Sequence, residues 1–102
     1  MVNELERVRP EIARLCRDHH VRRLEVFGSA AEGTFDPSSS DFDFLAEFEP
    51  LGPAKLADAY FGLLEKLKRL LGRRVDLLTP GAIRNPYLRK AIDASRQTLY
   101  AA

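Results

Sequence analysis

Five residues have the types and spacing to do chemistry together. Gly28-Ser29 ends an apolar run, eleven residues follow, and Asp41-Phe42-Asp43 opens a second apolar run. In an extended segment residues two apart share a face. Asp41 and Asp43 then point one way while Phe42 and Phe44 point the other, into a core. Two like charges at the start of a buried strand are costly unless a cation neutralises them. Further along, residues 73–78 read R-R-V-D-L-L. If Val75 and Leu77 face the core, Asp76 lies on the opposite face, the relation Asp41 and Asp43 bear to their phenylalanines. Carboxylates converging from two adjacent strands make a hard-oxygen site suited to Mg²⁺. In a two-metal arrangement such a site activates an attacking oxygen and neutralises charge on a leaving group. Taken singly, Asp76 is an ordinary surface or capping residue.

Gly28 and Ser29 supply what a polyphosphate needs. Gly28 lets backbone approach a ligand closely and lets the chain leave the strand sharply. Ser29 offers a hydroxyl to a phosphate oxygen, and the start of a short helix beside it adds free N–H groups. Alone, Gly-Ser is no more than a strand-ending turn; its place just before the two aspartates gives it weight. Two look-alike motifs are excluded. Gly28 and Gly33 have P-loop spacing, but Thr34 stands where the lysine is required. The D-x-D also opens like a calcium loop, but Leu45 and Gly52 fall where ligands are needed.

The elements that must position these residues follow from periodicity. Over residues 3–19, Leu5, Val8, Ile12 and Leu15 recur at helical steps, with Pro10 marking a kink or a true start near Arg9. His19-His20 reads as a solvated helix end. Residues 21–27 form a strand, although Phe27 breaks the strict alternation. Residues 30–32 make one helical turn closed by Gly33, and residues 34–40 are a Pro- and Ser-rich loop. The strand 42–48 is the most apolar and is expected at the sheet centre. From 54 to 71 a strong 3.6-residue period marks a helix that starts behind Pro53 and stops at Gly72. A third strand covers residues 73–78. Asn85-Pro86 opens a last helix running to about Leu99, which buries Leu88, Ile92 and Leu99, with Tyr87 and Tyr100 as amphipathic packing residues. The helix between the second and third strands permits a crossover that pairs them, so that Asp41, Asp43 and Asp76 share a face. The fold class is therefore α/β (α+β): a small mixed sheet flanked by helices, in a single domain over residues 1–102.

Composition narrows the class. The chain has 102 residues, 45% hydrophobic and 30% charged, with a net charge of +1. That balance gives no general pull towards nucleic acid or membrane. No apolar run approaches the length of a membrane span, and the charged N-terminus from Glu4 onwards lacks a leader pattern. Cys16 is the only cysteine; it follows Ile12 at helical spacing and reads as a buried apolar residue of a reducing compartment. The expected location is cytoplasmic.

Gly28-Ser29, the interval to Asp41-x-Asp43, the helix and Arg74-Val75-Asp76-Leu77-Leu78 together resemble a minimal nucleotidyltransferase of the MNT type, in the DNA polymerase beta superfamily. The tail from Val75 through Arg89 and on to Leu99-Tyr100-Ala101-Ala102 is similar to the same small proteins, so the likeness covers nearly the whole chain. The resemblance implies a polymerase-beta-like sheet fold that uses ATP and Mg²⁺, two ions being the expectation. It implies Asp41, Asp43 and Asp76 as metal-holding catalytic carboxylates and Gly28 and Ser29 as the nucleotide-binding pair. Proteins of this type are often antitoxins that transfer AMP from ATP to a tyrosine hydroxyl of a partner HEPN toxin. The family loop usually reads G-S-x-A-R-G, and here Glu32 occupies the arginine position. A glutamate repels phosphate unless it turns to solvent; Arg84 and Arg89 are the basic residues that could substitute.

Two functions from different classes follow. The first is a Mg²⁺-dependent protein adenylyltransferase with a HEPN-type toxin and ATP as partners, without membrane or direct nucleic-acid binding, as a homo- or hetero-oligomer. The second is a non-catalytic module that neutralises its partner by covering it; Glu32 favours this, and retention of three aspartates opposes it. Transfer to a small molecule is disfavoured because no second domain is present, and template-directed polymerisation by the charge balance.

Overall fold

The computed structural model describes residues 1–32, Asp36 and residues 41–102. Gly33 and the expected 34–40 loop, Asp36 apart, lie outside the described residues.

Helical periodicity at the N-terminus is divided at Val8. α1 spans Asn3–Arg7 and α2 spans Arg9–Asp18, with Pro10 in the first turn of α2 where its missing N–H costs nothing. The solvated end expected at His19-His20 holds for only one of the pair. His20 is exposed and has φ 59°, while His19 is buried, its Nδ1 lying 2.8 Å from the Leu15 carbonyl oxygen. The imidazole serves the helix end as a backbone cap, and a Cβ placed on Gly62 would stand 2.9 Å from its ring.

β1 spans Val21–Phe27, α3 Ser29–Glu32 and β2 Phe42–Phe48. α4, Pro53–Leu71, ends at Gly72 in the left-handed conformation (φ 64°), whose N–H closes onto the Lys68 carbonyl. β3 covers Val75–Leu78, shorter than the expected 73–78, and a 3₁₀ turn follows at Pro80–Ala82. α5 spans Pro86–Ser95, and the Asn85 side chain accepts from the Tyr87 N–H as the expected cap.

The last helix ends sooner than periodicity suggested. After Ser95 the chain turns at Arg96 and forms a fourth strand, β4, Gln97–Ala101, antiparallel to β1. Leu99 lies seven residues after Ile92, so its single inward side chain fits a helical period as well as a strand. Two packing expectations fail with it. Tyr87 is 83% exposed and Leu88 is exposed as well, since α5 turns only Ile92 and Ser95 fully inward.

The sheet order is β3-β2-β1-β4, so β2 is interior as expected. β1 and β2 are antiparallel, while β2 and β3 are parallel across the α4 crossover. One face carries Leu24, Val26, Phe42, Phe44, Ala46, Val75 and Leu77, packed on Leu5, Ile12, Cys16, Leu63 and Leu67 of α1, α2 and α4. Phe42 and Phe44 are fully buried, and removing each ring from water contributes about 2–3 kcal/mol. The other face holds a smaller cluster, Phe27 and Leu45 under Ile92, with Leu78 and Ile83. Phe27 thus keeps the alternation of β1; the face opposite the main core is itself partly covered. Among the described residues no helix is long and apolar enough to cross a membrane.

Candidate active site

Parallel register does for the aspartates what the alternation of each strand could only suggest. Phe42 pairs with Val75, Asp43 with Asp76 and Phe44 with Leu77. The phenylalanines, Val75 and Leu77 point into the main core, and Asp43 and Asp76 stand side by side on the opposite face. Antiparallel pairing adds Phe27 opposite Asp43, which brings the end of β1 and Gly28 to the same place.

Gly28 has φ 73°, and an ideal Cβ built there would lie 2.8 Å from Oδ2 of Asp43. A side chain is excluded on two counts, left-handed backbone and occupied space. The Gly28 carbonyl accepts from the Ala31 and Glu32 N–H groups, each at 3.1 Å, which starts α3 directly after the turn. Ser29 opens α3, half-buried. The Gly28 N–H is not free for a ligand: it donates to Ser95 Oγ at 2.9 Å. Periodicity along the chain could not supply that partner, because it comes from a residue 67 positions away.

Burial raises the Asp43 carboxyl to about 6, and the charges of Asp76 and Asp41 push the same way, as does the hydrogen bond that protonated Asp43 donates to the Asp76 carboxylate. Asp41 is less tightly held in the group: its Oδ1 faces Arg74 Nε at 3.2 Å, and Arg74 is 84% exposed. An exposed pair of that kind is weak and leaves Asp41 free to exchange partners. As the side chains stand, no three Asp, Glu, His or Cys among the described residues form a ready cage for an ion. The donor chemistry nevertheless fits a hard divalent cation, since Asp43 and Asp76 are carboxylates paired in register on one face of the sheet.

Glu32 is exposed at the end of α3, the orientation that limits its repulsion of phosphate. Of the two candidate substitutes, Arg89 lines a cavity of about 150 Å³ with Leu45, Glu47, Ile83, Ile92, Asp93 and Arg96. Leu45 is two residues along β2 from Asp43, so Arg89 lies over the site face of the sheet but is not at the Gly28 turn. Arg84 is exposed outside this cavity. A buried acid went unforeseen. Glu25 is 4% exposed and bound by Arg96 through Nη2 at 2.7 Å and Nε at 3.0 Å. It alternates with Leu24 and Val26 along β1, and Arg96, directly after α5, covers it.

Paired carboxylates from parallel strands beside a Gly-Ser turn are the arrangement expected of a nucleotidyltransferase. A family model described as "Nucleotidyltransferase domain" matches residues 8–99, and the chain belongs to that family. It is 31% identical over 93 residues to a Methanocaldococcus jannaschii protein named "putative protein adenylyltransferase", covering 90% of this chain and 91% of the relative. A second protein of that organism with the same name is 39% identical over 79 residues, covering 78% and 76%. Among solved structures, one described as a "putative minimal nucleotidyltransferase" has TM-score 0.72 and 31% identity over 91% of this chain and 93% of that one. A toxin–antitoxin crystal structure with AMP-PNP superposes with TM-score 0.69 at 24% identity, covering 99% of this chain and 75% of the other. A tri-AMPylated Shewanella oneidensis HEPN toxin in complex with an MNT antitoxin gives TM-score 0.60 at 22% identity, covering 96% and 73%. At those identities what the two complexes show is the fold. The protein is thus a nucleotidyltransferase with the minimal form of the fold.

Proposed function

We propose that the protein transfers AMP from ATP to a tyrosine hydroxyl of a HEPN-type partner, acting as the antitoxin of a toxin–antitoxin pair in the cytoplasm. The observation that carries this is the Asp43–Asp76 pair in parallel register under the Gly28 turn. Relatives named as protein adenylyltransferases support a protein acceptor, and the AMP-PNP and AMPylated-toxin complexes support ATP and a HEPN partner.

Asp41, Asp43 and Asp76 would hold Mg²⁺, two ions being our reading. Bound there, Mg²⁺ supplies positive charge to the triphosphate and to the oxygen that attacks it. Gly28 admits the triphosphate close to the backbone, and the Ser29 hydroxyl donates to a phosphate oxygen. Asp76, exposed at the edge strand, takes the proton of the acceptor hydroxyl. The acceptor oxygen forms a bond to the α-phosphorus, the bond from that phosphorus to the β-bridging oxygen breaks, and pyrophosphate leaves. We read residues 1–102 as one domain, with the acceptor presented by the partner.

The test incubates the protein with its HEPN-type partner, ATP and Mg²⁺ and weighs the partner by mass spectrometry. AMP addition that disappears with Asp41→Asn is the expected result. An unshifted partner that is still neutralised would replace transfer by occlusion, which Glu32 in the loop favours.

A further inference from the structure

Three consecutive residues where α5 turns into β4 grip three places around the Gly28 turn. Ser95 Oγ accepts from the Gly28 N–H at 2.9 Å. Arg96 binds the Glu25 carboxylate through two nitrogens at 2.7 and 3.0 Å. Gln97 Nε2 donates to the Ala31 carbonyl at 2.9 Å. The end of β1, the turn and α3 are thus all held by one short segment about seventy positions later in the chain.

Ser95 is the member placed to affect nucleotide handling. It is 8% exposed, and its hydroxyl donates onward to the Ala91 carbonyl at 3.2 Å. With both of its backbone polar groups engaged, Gly28 has little freedom to rotate. The turn orientation matters because the space beside the Gly28 α-carbon is filled by Asp43 Oδ2, and because Ser29 is the next residue. Loss of the Ser95 hydroxyl would take from the half-buried Gly28 N–H the acceptor that fixes its direction, and the turn would shift to recover one.

We propose that Ser95 is a positioning residue for nucleoside triphosphate binding, holding the Gly28-Ser29 turn at the height that receives the phosphates and clears the Asp43 carboxylate; it rests on the reading that Gly28 and Ser29 carry the triphosphate. Ser95 itself touches no phosphate, since its hydroxyl is spent on backbone at both ends.

The test measures AMP-PNP binding with saturating Mg²⁺ by calorimetry, at a temperature where every variant is folded. The variants are Ser95→Ala, Ser95→Thr, Ser29→Ala and Ile92→Val, the last a packing control on the same helix. The expected result is a Kd raised about tenfold in Ser95→Ala and in Ser29→Ala, recovered in Ser95→Thr, which keeps the hydroxyl, and unchanged in Ile92→Val. An unchanged Kd in Ser95→Ala alongside a weakened Ser29→Ala would overturn the positioning role and leave the phosphate site standing. Equal weakening in Ile92→Val would reduce Ser95 to general packing. A wild-type protein that binds no AMP-PNP, or a Ser29→Ala variant that binds normally, would remove the phosphate site and the Ser95 role with it. If Ser95→Ala does not fold, Ser95→Cys, a poorer acceptor, carries the same comparison.

Discussion

Asp43 and Asp76 are direct partners in the parallel β2–β3 register. Neither strand alone can create such a site, because each contributes one carboxylate at that level of the sheet. Removing the charge of Asp43 by Asp43→Asn is expected to lower adenylyl transfer at least about 10²-fold, as for loss of one group that stabilises transition-state charge. Asp41→Asn should do the same while leaving the folded structure intact, because Asp41 is half-buried and its ion-pair partner among the described residues, Arg74, is exposed. Partner labelling and circular dichroism on the same samples separate the two effects.

The Asp43 carboxyl is raised from 3.8 to about 6, so the folded, metal-free protein holds that proton more tightly than the unfolded chain. Asp43 therefore favours the fold at low pH, and this contribution is lost as pH rises from about 4 to 6. Asp43→Asn, which cannot ionise, is expected to be more stable than wild type at about pH 7.5 without metal, the gap closing towards about pH 4. Thermal unfolding of both proteins across that range, with chelator present, checks it. Saturating Mg²⁺ should raise the wild-type melting temperature and leave the variant little changed.

Gly28→Ala should cost about 1–2 kcal/mol for a left-handed non-glycine backbone. Its methyl would also displace the Asp43 carboxylate, since the Cβ position lies 2.8 Å from Oδ2. Activity is expected to fall further than the stability change explains. Denaturant titration alongside partner labelling at a temperature well below unfolding distinguishes the two.

Glu25 is nearly buried and held chiefly by Arg96, which is itself 35% exposed, with Arg23 Nε 3.6 Å from the same carboxylate. Arg96→Ala is expected to cost about 2–3 kcal/mol, less than a fully buried pair loses, because water can reach the vacated side and Arg23 remains beside Glu25. Chemical denaturation measures this. Adding Glu25→Gln to Arg96→Ala should recover part of the loss, because the uncompensated charge is then gone.

Much of the fold was legible in local pattern. α4 followed from its unbroken 3.6-residue stripe between Pro53 and Gly72, and β2 from an apolar run alternating with aspartates. Asp41, Asp43, Asp76, Gly28 and Ser29 were singled out as the site, and the structure brings Asp43, Asp76 and the Gly28 turn together. Asp41 joins them at the strand entry but faces Arg74. What escaped was non-local. Leu99 satisfied a helical period and a strand equally, so β4 was hidden, and with it the turn at Arg96 that brings Ser95 and Glu25 into play.

By itself the sequence determined the residue types available for chemistry and the local geometry of most elements. Alternation fixes which side of a strand a carboxylate leaves from, and proline and glycine fix where helices start and stop. Only the tertiary structure decided which carboxylates meet, because strand register depends on pairing across the α4 crossover. It alone decided that the Gly28 N–H is spent on Ser95, since a hydrogen bond between residues 67 positions apart leaves no periodic trace in the chain.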